Sequence, residues 1–304
     1  MKILLTGSTG MVGRNIINNK DYKNYSFILP SRLDLDLTQF NSTKTFLKEN
    51  KPDLIINAAG KVGGIHANMT NQTSFMVENY DINRNLILSA RDLGIKKFLN
   101  LGSSCMYSKD SINPLKETSL FSGALEPTNE GYAFSKCFAA KLGQFINNEI
   151  GQLIYKTVVP CNLYGKFDSF DPNNSHMVPA AIRKIHEAII YEHDSVNVWG
   201  TGNVRREFMF AEDFSNFIYH AIKNFDNLPE IMNVGTGIDY SISEYYECIS
   251  RVLGYKGKLE FDKEKPEGMK QKLVDISLLK EFGWKSSFSL EKGISKTYKY
   301  YKEL

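Results

Sequence analysis

The stretch Gly7-Ser8-Thr9-Gly10-Met11-Val12-Gly13 constrains the fold of this chain more than any other. It follows directly on Lys2-Ile3-Leu4-Leu5-Thr6, an apolar run of strand length, and continues into Arg14-Asn15-Ile16-Ile17, which reads as helix. A strand that turns into a helix through spaced glycines is the opening unit of a dinucleotide-binding sheet. Gly7 permits the sharp turn, Gly10 lets a pyrophosphate approach the backbone, and Gly13 allows close helix–strand packing. The diphosphate then rests on the amides and dipole of the helix N-terminus. All seven residues, Ser8, Thr9, Met11 and Val12 included, are candidate cofactor contacts.

The adenosine end of such a cofactor is read near the end of the second strand, about 20 residues further on. There the chain reads Phe27-Ile28-Leu29-Pro30-Ser31-Arg32-Leu33-Asp34-Leu35-Asp36-Leu37. An acidic residue directly ending that strand binds a ribose 2′-hydroxyl and repels a 2′-phosphate. Ser31 and Arg32, a hydroxyl donor and a cation, hold that place, which suits the 2′-phosphate of NADP(H). Asp36, with Leu37 beside it, is expected to bond the adenine or cap the next helix. The spacing Gly-x-x-Gly-x-x-Gly, rather than Gly-x-Gly-x-x-Gly, points to short-chain dehydrogenase/reductase-type chains.

Strands and helices go on alternating. Leu54-Ile55-Ile56-Asn57 reads as a buried strand ending at Ala58-Ala59-Gly60, small residues where a cofactor can lie close. Residues 75–93 read as a helix and 97–101 as the next strand, ending at Ser103. Residues 153–159 read as another strand, ending at Pro160-Cys161-Asn162-Leu163. In open parallel sheets ligands bind beyond the carboxyl ends of the strands, where each of these segments lies. Past residue 165 the pattern changes to loops, a helix over 177–192, and short strands at 196–199 and 231–234. The expected fold is α/β. A Rossmann-type, doubly wound parallel sheet spans residues 1–165, with a smaller C-terminal α/β substrate lobe over 166–304. Part of that lobe, near 205–240, is expected to return to the sheet.

Two segments carry the chemistry: Gly102-Ser103-Ser104-Cys105-Met106-Tyr107 and, on an expected helix, Tyr132-Ala133-Phe134-Ser135-Lys136. Tyr132 and Lys136, at i and i+4, project from one helical face. A lysine ammonium beside a phenol favours the phenolate, so Tyr132 can exchange a proton near neutral pH. Reducing a ketone needs that relay and a hydride source, for which the N-terminal fingerprint supplies a place. A Tyr-x-x-x-Lys pair alone is a weak signal. The serine pair upstream and the glycine fingerprint make it informative.

Composition narrows the classes. The 304 residues suffice for a large core and two lobes. Thirty-seven basic against thirty-four acidic residues leave +3, which argues against bulk nucleic-acid binding. No apolar run approaches membrane-spanning length and the start does not read as a signal peptide, so no membrane partner is expected. Cys105, Cys137, Cys161 and Cys248 show neither zinc spacing nor a disulfide framework; no metal is expected, and a reducing cytoplasm is. His66, His186, His193 and His220 show no partner pattern and read as structural.

Together these residues resemble the extended short-chain dehydrogenase/reductase family of nucleotide-sugar enzymes, and within it those acting on GDP-linked 4-keto sugars. The resemblance spans nearly the whole chain. Its most specific blocks are Lys61-Val62-Gly63-Gly64-Ile65, Leu101-Gly102-Ser103-Ser104-Cys105-Met106-Tyr107, and Leu125-Glu126-Pro127-Thr128-Asn129-Glu130. To these add Asn173-Asn174-Ser175-His176, Val198-Trp199-Gly200 and Arg206-Glu207-Phe208.

The resemblance implies that Tyr132 gives a proton to the carbonyl oxygen at carbon 4. Lys136 would support it and bond the nicotinamide ribose, and Ser103 would bond the same oxygen. Hydride arrival makes an alkoxide there, and two fixed donors stabilise that charge. Cys105 and His176 match the family's base and acid for inverting carbons 3 and 5, whose protons the ketone makes acidic. By the same resemblance Ala58, Ala59, Gly60, Pro160, Asn162, Leu163 and His176 lie along the cofactor. Ser104, Asn162, Lys184, Trp199, Arg206, Glu267 and Lys272 face the GDP-sugar, and the chain pairs as a homodimer.

Three departures bear on these expectations. Ser8-Thr9 stand where relatives often carry a basic residue reaching the 2′-phosphate, so Arg32 carries more of the preference for NADP(H). Glu267 replaces a common aspartate. Lys184 replaces an arginine seen in some relatives, keeping the charge but losing the bidentate fork. Three functions stay open. The leading one is NADPH-dependent 4-keto reduction with 3,5-epimerisation. A rival is 4-keto reduction alone on a related GDP-sugar, such as a heptose for surface polysaccharide. The third is a non-catalytic NADP-binding regulator, against which the full Ser103–Tyr132–Lys136 set argues.

Overall fold

The computed structural model describes residues 1–172, 175–265 and 268–304, and of residues 65 and 66 the backbone. The first half alternates strand and helix: β1 (Lys2–Thr6), α1 (Met11–Ile17), β2 (Ser26–Ile28), α2 (Phe40–Asn50), β3 (Leu54–Asn57), α3 (Ile65–Thr70), α4 (Gln72–Asp92), β4 (Phe98–Leu101), α5 (Glu130–Ile150) and β5 (Tyr155–Pro160). Then follow β6 (Asn162–Tyr164), α6 (Met177–Ile190), β7 (Ser195–Trp199), β8 (Arg205–Arg206), β9 (Phe208–Phe210), α7 (Ala211–Lys223) and β10 (Ile231–Val234). The chain closes with β11 (Tyr240–Ser241), α8 (Ile242–Leu253), β12 (Lys258–Asp262), β13 (Gln271–Lys272), α9 (Ser277–Glu281) and α10 (Leu290–Tyr301).

Among the described residues the large sheet has six parallel strands in the order β10-β5-β4-β3-β1-β2. Ile3, Leu4 and Leu5 of β1 and Leu54, Ile55 and Ile56 of β3 are fully buried, as continuous apolar runs must be when helices cover both faces. The chain steps from β1 out to β2 and then back past β1 to β3. The topological switch point therefore lies between β1 and β3, where open sheets bind ligands.

Buried amides tie the carboxyl ends of these strands together. Thr6 Oγ1 donates to Asn57 Oδ1 at 3.0 Å. Asn57 Nδ2 donates to Asn83 Oδ1 at 2.8 Å and to Asn100 Oδ1 at 3.2 Å. Each polar side chain so deep needs a partner, and this ladder supplies one while fixing the loops above.

β10 pairs in parallel with β5, so the chain re-enters the large sheet from the second half. The remainder packs as a smaller layer. β12 pairs with β7, β8 lies between β11 and β13, and β6 pairs with β9. Helices α6, α8 and α10 cover a core that includes Val178, Ile182, Val198, Tyr245 and Ile294. Helix α8 begins at a reciprocal cap between Ser241 and Glu244 and stops at Gly254, whose φ of 83° suits glycine. Among the described residues no helix is long and apolar enough to cross a membrane.

Candidate active site

The glycine loop sits at the switch point. Gly7 has φ 67°, and a Cβ there would lie 2.5 Å from Ala58 O. A Cβ on Gly13 would run into Gly7 O and Ser8 Cα. Both positions are thus fixed by the protein itself. Gly10 differs: its nearest neighbour to an added Cβ is Gly7 O at 3.5 Å, an ordinary contact, and it is exposed at the start of α1. The room at Gly10 faces outward, where a diphosphate would lie. No side chain caps the first turn of α1, which leaves its amides to a ligand. Gly60 lies beside Lys136. A Cβ there would come 2.9 Å from Asn79 Oδ1 and 3.8 Å from Lys136 Nζ. The residues present therefore fit a dinucleotide running from the α1 loop to Lys136.

The adenosine end departs in part from expectation. Ser31 Oγ donates to Asp34 Oδ2 at 2.6 Å, so the hydroxyl expected to meet a 2′-phosphate serves a local turn. Asp36 Oδ1 accepts from Thr38 N at 3.0 Å and Thr38 Oγ1 at 2.8 Å, holding a turn before α2 rather than capping that helix. Leu37 is buried beneath it. Arg32 is exposed; hydrogen bonds from Thr38 lower the Asp36 carboxyl and those from Lys61 and Ser74 lower Glu78, and the Arg32 charge adds to both.

Tyr132 and Lys136 share a face near the start of α5, with Lys136 Nζ 5.7 Å from the Tyr132 ring centre. The ammonium donates to Leu101 O at 2.8 Å, at the end of β4. Lys136 is 4 % exposed, and burial brings it down to about 8. The shift on Tyr132 runs opposite to that expected from the lysine. Burial and the neighbouring Cys105 push the phenol up, and a hydrogen bond with Ser103 only partly offsets them. The site therefore holds a protonated phenol, the form that can donate. Ser103 caps the short 3₁₀ turn Ser104–Met106, its Oγ accepting from Cys105 N at 3.3 Å. Ser104 is buried beneath that turn.

Cys105 lies on the same turn. Asn129 Nδ2 donates to its Sγ at 3.1 Å, and Lys272 Nζ reaches it at 4.0 Å. His176 stands at the start of α6 with open surface, yet crowding by protein atoms removes enough of its water to lower the imidazole. Asn162 Nδ2 donates to Glu207 O at 3.1 Å, tying β6 to the residue between β8 and β9, with Leu163 half-buried beside it. Pro160 closes β5 and is buried.

The second layer presents a basic face. Trp199 is 56 % exposed, with Lys184 Nζ at 5.6 Å and Lys265 Nζ at 5.8 Å from its ring centres. A flat exposed ring flanked by two ammonium groups suits a base joined to phosphates. Lys184 also donates to Asn197 O at 3.1 Å, and burial lowers it. Arg206 and Lys272 are register partners across β8 and β13. Glu267 lies outside the described residues, as do Asn173 and Asn174.

Three residues that organise the site had been given no role from sequence. Glu207 is fully buried and accepts from Thr236 N at 2.6 Å, Gly237 N at 2.8 Å and Val274 N at 2.9 Å. Asn129 holds Cys105, and Lys265 flanks Trp199. Glu207 and Asn129 lie inside blocks quoted above. A carboxylate set between Arg206 and the apolar run Phe208-Met209-Phe210 was the available hint for Glu207.

Comparison with known proteins agrees with this geometry. A model of the NAD dependent epimerase/dehydratase family matches residues 3–235. The chain is similar to a protein of Yersinia pseudotuberculosis named GDP-L-colitose synthase, 54% identical over 99% of this chain and 98% of that one. It is similar also to the GDP-L-fucose synthase of Azorhizobium caulinodans, 42% identical over 99% of this chain and 96% of that one. Among solved structures it resembles a GDP-mannoheptose C4 reductase from Campylobacter jejuni with NADP bound. The TM-score is 0.89 and the identity 31%, over 99% of this chain and 98% of that one.

Proposed function

The chain belongs to the NAD dependent epimerase/dehydratase family, extended short-chain dehydrogenase/reductases of nucleotide sugars, and we propose that it uses NADPH to reduce the 4-keto group of a GDP-linked sugar. The observation that carries this reading is the Ser103–Tyr132–Lys136 group, whose buried Lys136 lies beside Gly60. When bound, the dinucleotide supplies a hydride to carbon 4. Tyr132 gives its proton to the carbonyl oxygen, and Ser103 donates to the same oxygen as charge gathers there. Lys136, anchored on Leu101 O, keeps a positive charge beside the phenol as it loses its proton.

Epimerisation is the second half of the proposal. Cys105 takes a proton from the carbon next to the ketone and His176 returns one from the opposite face. A lowered imidazole is a stronger acid once loaded, which suits a donor to carbon. The GDP moiety lies on the second layer, with Trp199 under the base and Lys184, Arg206 and Lys272 toward the phosphates and sugar. Two bacterial relatives are named GDP-L-colitose synthase and GDP-L-fucose synthase, which supports a GDP-linked sugar as the substrate. Reduction alone, as in the heptose C4 reductase named above, is the second reading.

Incubation with GDP-4-keto-6-deoxymannose and NADPH, with the product's stereochemistry read by NMR, tests the proposal. A parallel reaction in deuterated water without NADPH isolates the epimerisation. Reduction together with exchange at carbons 3 and 5 supports both halves. Reduction with no exchange at either carbon leaves the pure reductase, and no reduction of any GDP-keto sugar removes the enzyme reading.

Two predictions arise from the cofactor side. Arg32→Ala should raise the Michaelis constant for NADPH far more than for NADH, because Ser31 is held by Asp34 and Arg32 is left to meet a 2′-phosphate. A wild-type enzyme using both cofactors equally well would refute this. The second concerns pH. Lys136 loses its charge near pH 8, so kcat/KM for NADPH, which reports the free enzyme, should fall as pH rises through that value. Lys136→Arg keeps its charge throughout, and in that variant the fall should move upward or vanish even as the rate drops.

The homodimer belongs to the same proposal. Met76, Val77 and Tyr80 on α4 and Phe134 and Phe145 on α5 form an exposed apolar face of two packed helices. Sedimentation of wild type beside a Tyr80→Glu, Phe134→Glu double variant should show a dimer and a monomer.

A further inference from the structure

The block Leu125-Glu126-Pro127-Thr128-Asn129-Glu130 has no part in the chemistry described so far, yet the fold aims its Asn129 at the sulfur of Cys105. Asn129 stands at the N-cap of α5. Asparagine is favoured there because its side-chain oxygen takes an amide of the first turn. Here it makes no capping bond, with φ −142° and ψ 25°. Its Nδ2 donates to Cys105 Sγ at 3.1 Å instead. Its Oδ1 is buried without a hydrogen-bond partner. The oxygen thus forgoes the bond a purely structural cap would make, while the nitrogen is committed to the sulfur.

The turn that carries Asn129 is fixed from both sides. Glu126 accepts from Thr128 N at 3.5 Å and Thr128 Oγ1 at 3.3 Å. Gln72 of α4 donates to Pro127 O at 2.9 Å and accepts from Gly131 N at 3.2 Å. Such anchoring suits a donor that must hold one position. A neutral thiol gains little from a donor at its sulfur, whereas a thiolate gains a charge-assisted bond. The N-terminus of α5 adds a positive end of the helix dipole on the same side. The titratable groups facing Cys105 are Lys272 of β13 and Tyr132, Lys136 and Cys137 of α5.

We propose that Asn129 is the positioning residue of the Cys105 thiolate: its anchored amide fixes the sulfur on the substrate side and stabilises the anion. The consequence for catalysis rests on the reading of Cys105 as the epimerisation base. One helix then serves both reactions, with Asn129 at its cap directing the proton abstraction and Tyr132 one turn later the reduction.

Alkylation of Cys105 by iodoacetamide against pH, read by mass spectrometry of its peptide, tests this in wild type, Asn129→Asp and Asn129→Leu. Aspartate is a good N-cap and favours the helix dipole, so the fold and its unfolding temperature hold. Its carboxylate opposes the anion. Alkylation at neutral pH should slow about tenfold or more in Asn129→Asp, its profile moving to higher pH, with Asn129→Leu between the two. Wild-type rates and profiles in both variants would overturn the proposal. Deuterium exchange into the keto sugar separates it from its premise. If alkylation responds to Asn129 while exchange survives Cys105→Ser, the Asn129–thiolate pairing stands and Cys105 is not the base.

Discussion

Tyr132→Phe should abolish keto-sugar reduction while NADPH still binds. The change removes only a hydroxyl, and the ring keeps its place on α5 beside Lys136. Losing one general acid costs about 10²–10⁴ in rate. The upper end is expected because the structure holds the phenol in its protonated form, by burial and by the nearby Cys105. No other proton donor shares the carbonyl oxygen in this assignment except Ser103, whose hydroxyl also accepts from Cys105 N. Single-turnover loss of NADPH absorbance gives the rate, and fluorescence titration gives the binding. Turnover near the wild-type level would end the assignment of Tyr132.

Glu207→Ala should be the most destabilising single change at the site. The carboxylate is fully buried and takes amides from Thr236, Gly237 and Val274, plus the Thr236 hydroxyl at 3.2 Å. A buried amide left without an acceptor costs about 1–3 kcal/mol, so three of them are on the order of 3 kcal/mol or more. Whole-protein stability is itself only about 5–15 kcal/mol. Burial pushes this carboxyl up while the three amides pull against it, which fits a group there to organise backbone. Its neighbours in the register of β8 and β13 are Arg206 and Lys272, so GDP binding should weaken along with stability. Glu207→Gln keeps one oxygen but turns an amide N–H₂ toward a donor, and should fall between the two. Urea denaturation gives the ranking, and a wild-type midpoint for Glu207→Ala would refute it.

The large sheet was legible because its signals are local. Leu54–Asn57 is apolar throughout, and a strand buried on both faces allows nothing else. The glycine spacing was equally plain, since Gly7 and Gly13 meet steric limits that only glycine satisfies. Boundaries were less so. The strand expected over 153–159 is Tyr155–Pro160, and Asn147 Oδ1 takes the amides of Ile154 and Tyr155 where the chain enters it. The helix expected over 75–93 is Gln72–Asp92, where Gln72 reaches across to the turn before α5. Neither side-chain bond shows in a hydrophobic pattern.

What the sequence determined by itself is the order of elements, the cofactor loop and the family. Each rests on residues adjacent in the chain, where spacing alone dictates which atoms share a face or a turn. Only the tertiary structure decided how the distant pieces meet. Ser31 turns to Asp34, the Tyr132 phenol rises with burial, Asn129 leaves its cap for Cys105, and Glu207 gathers amides from residues 236–237 and 274. Hydrogen bonds act over about 3 Å, and burial depends on everything packed around a group. Both are therefore set by contacts that chain order does not encode.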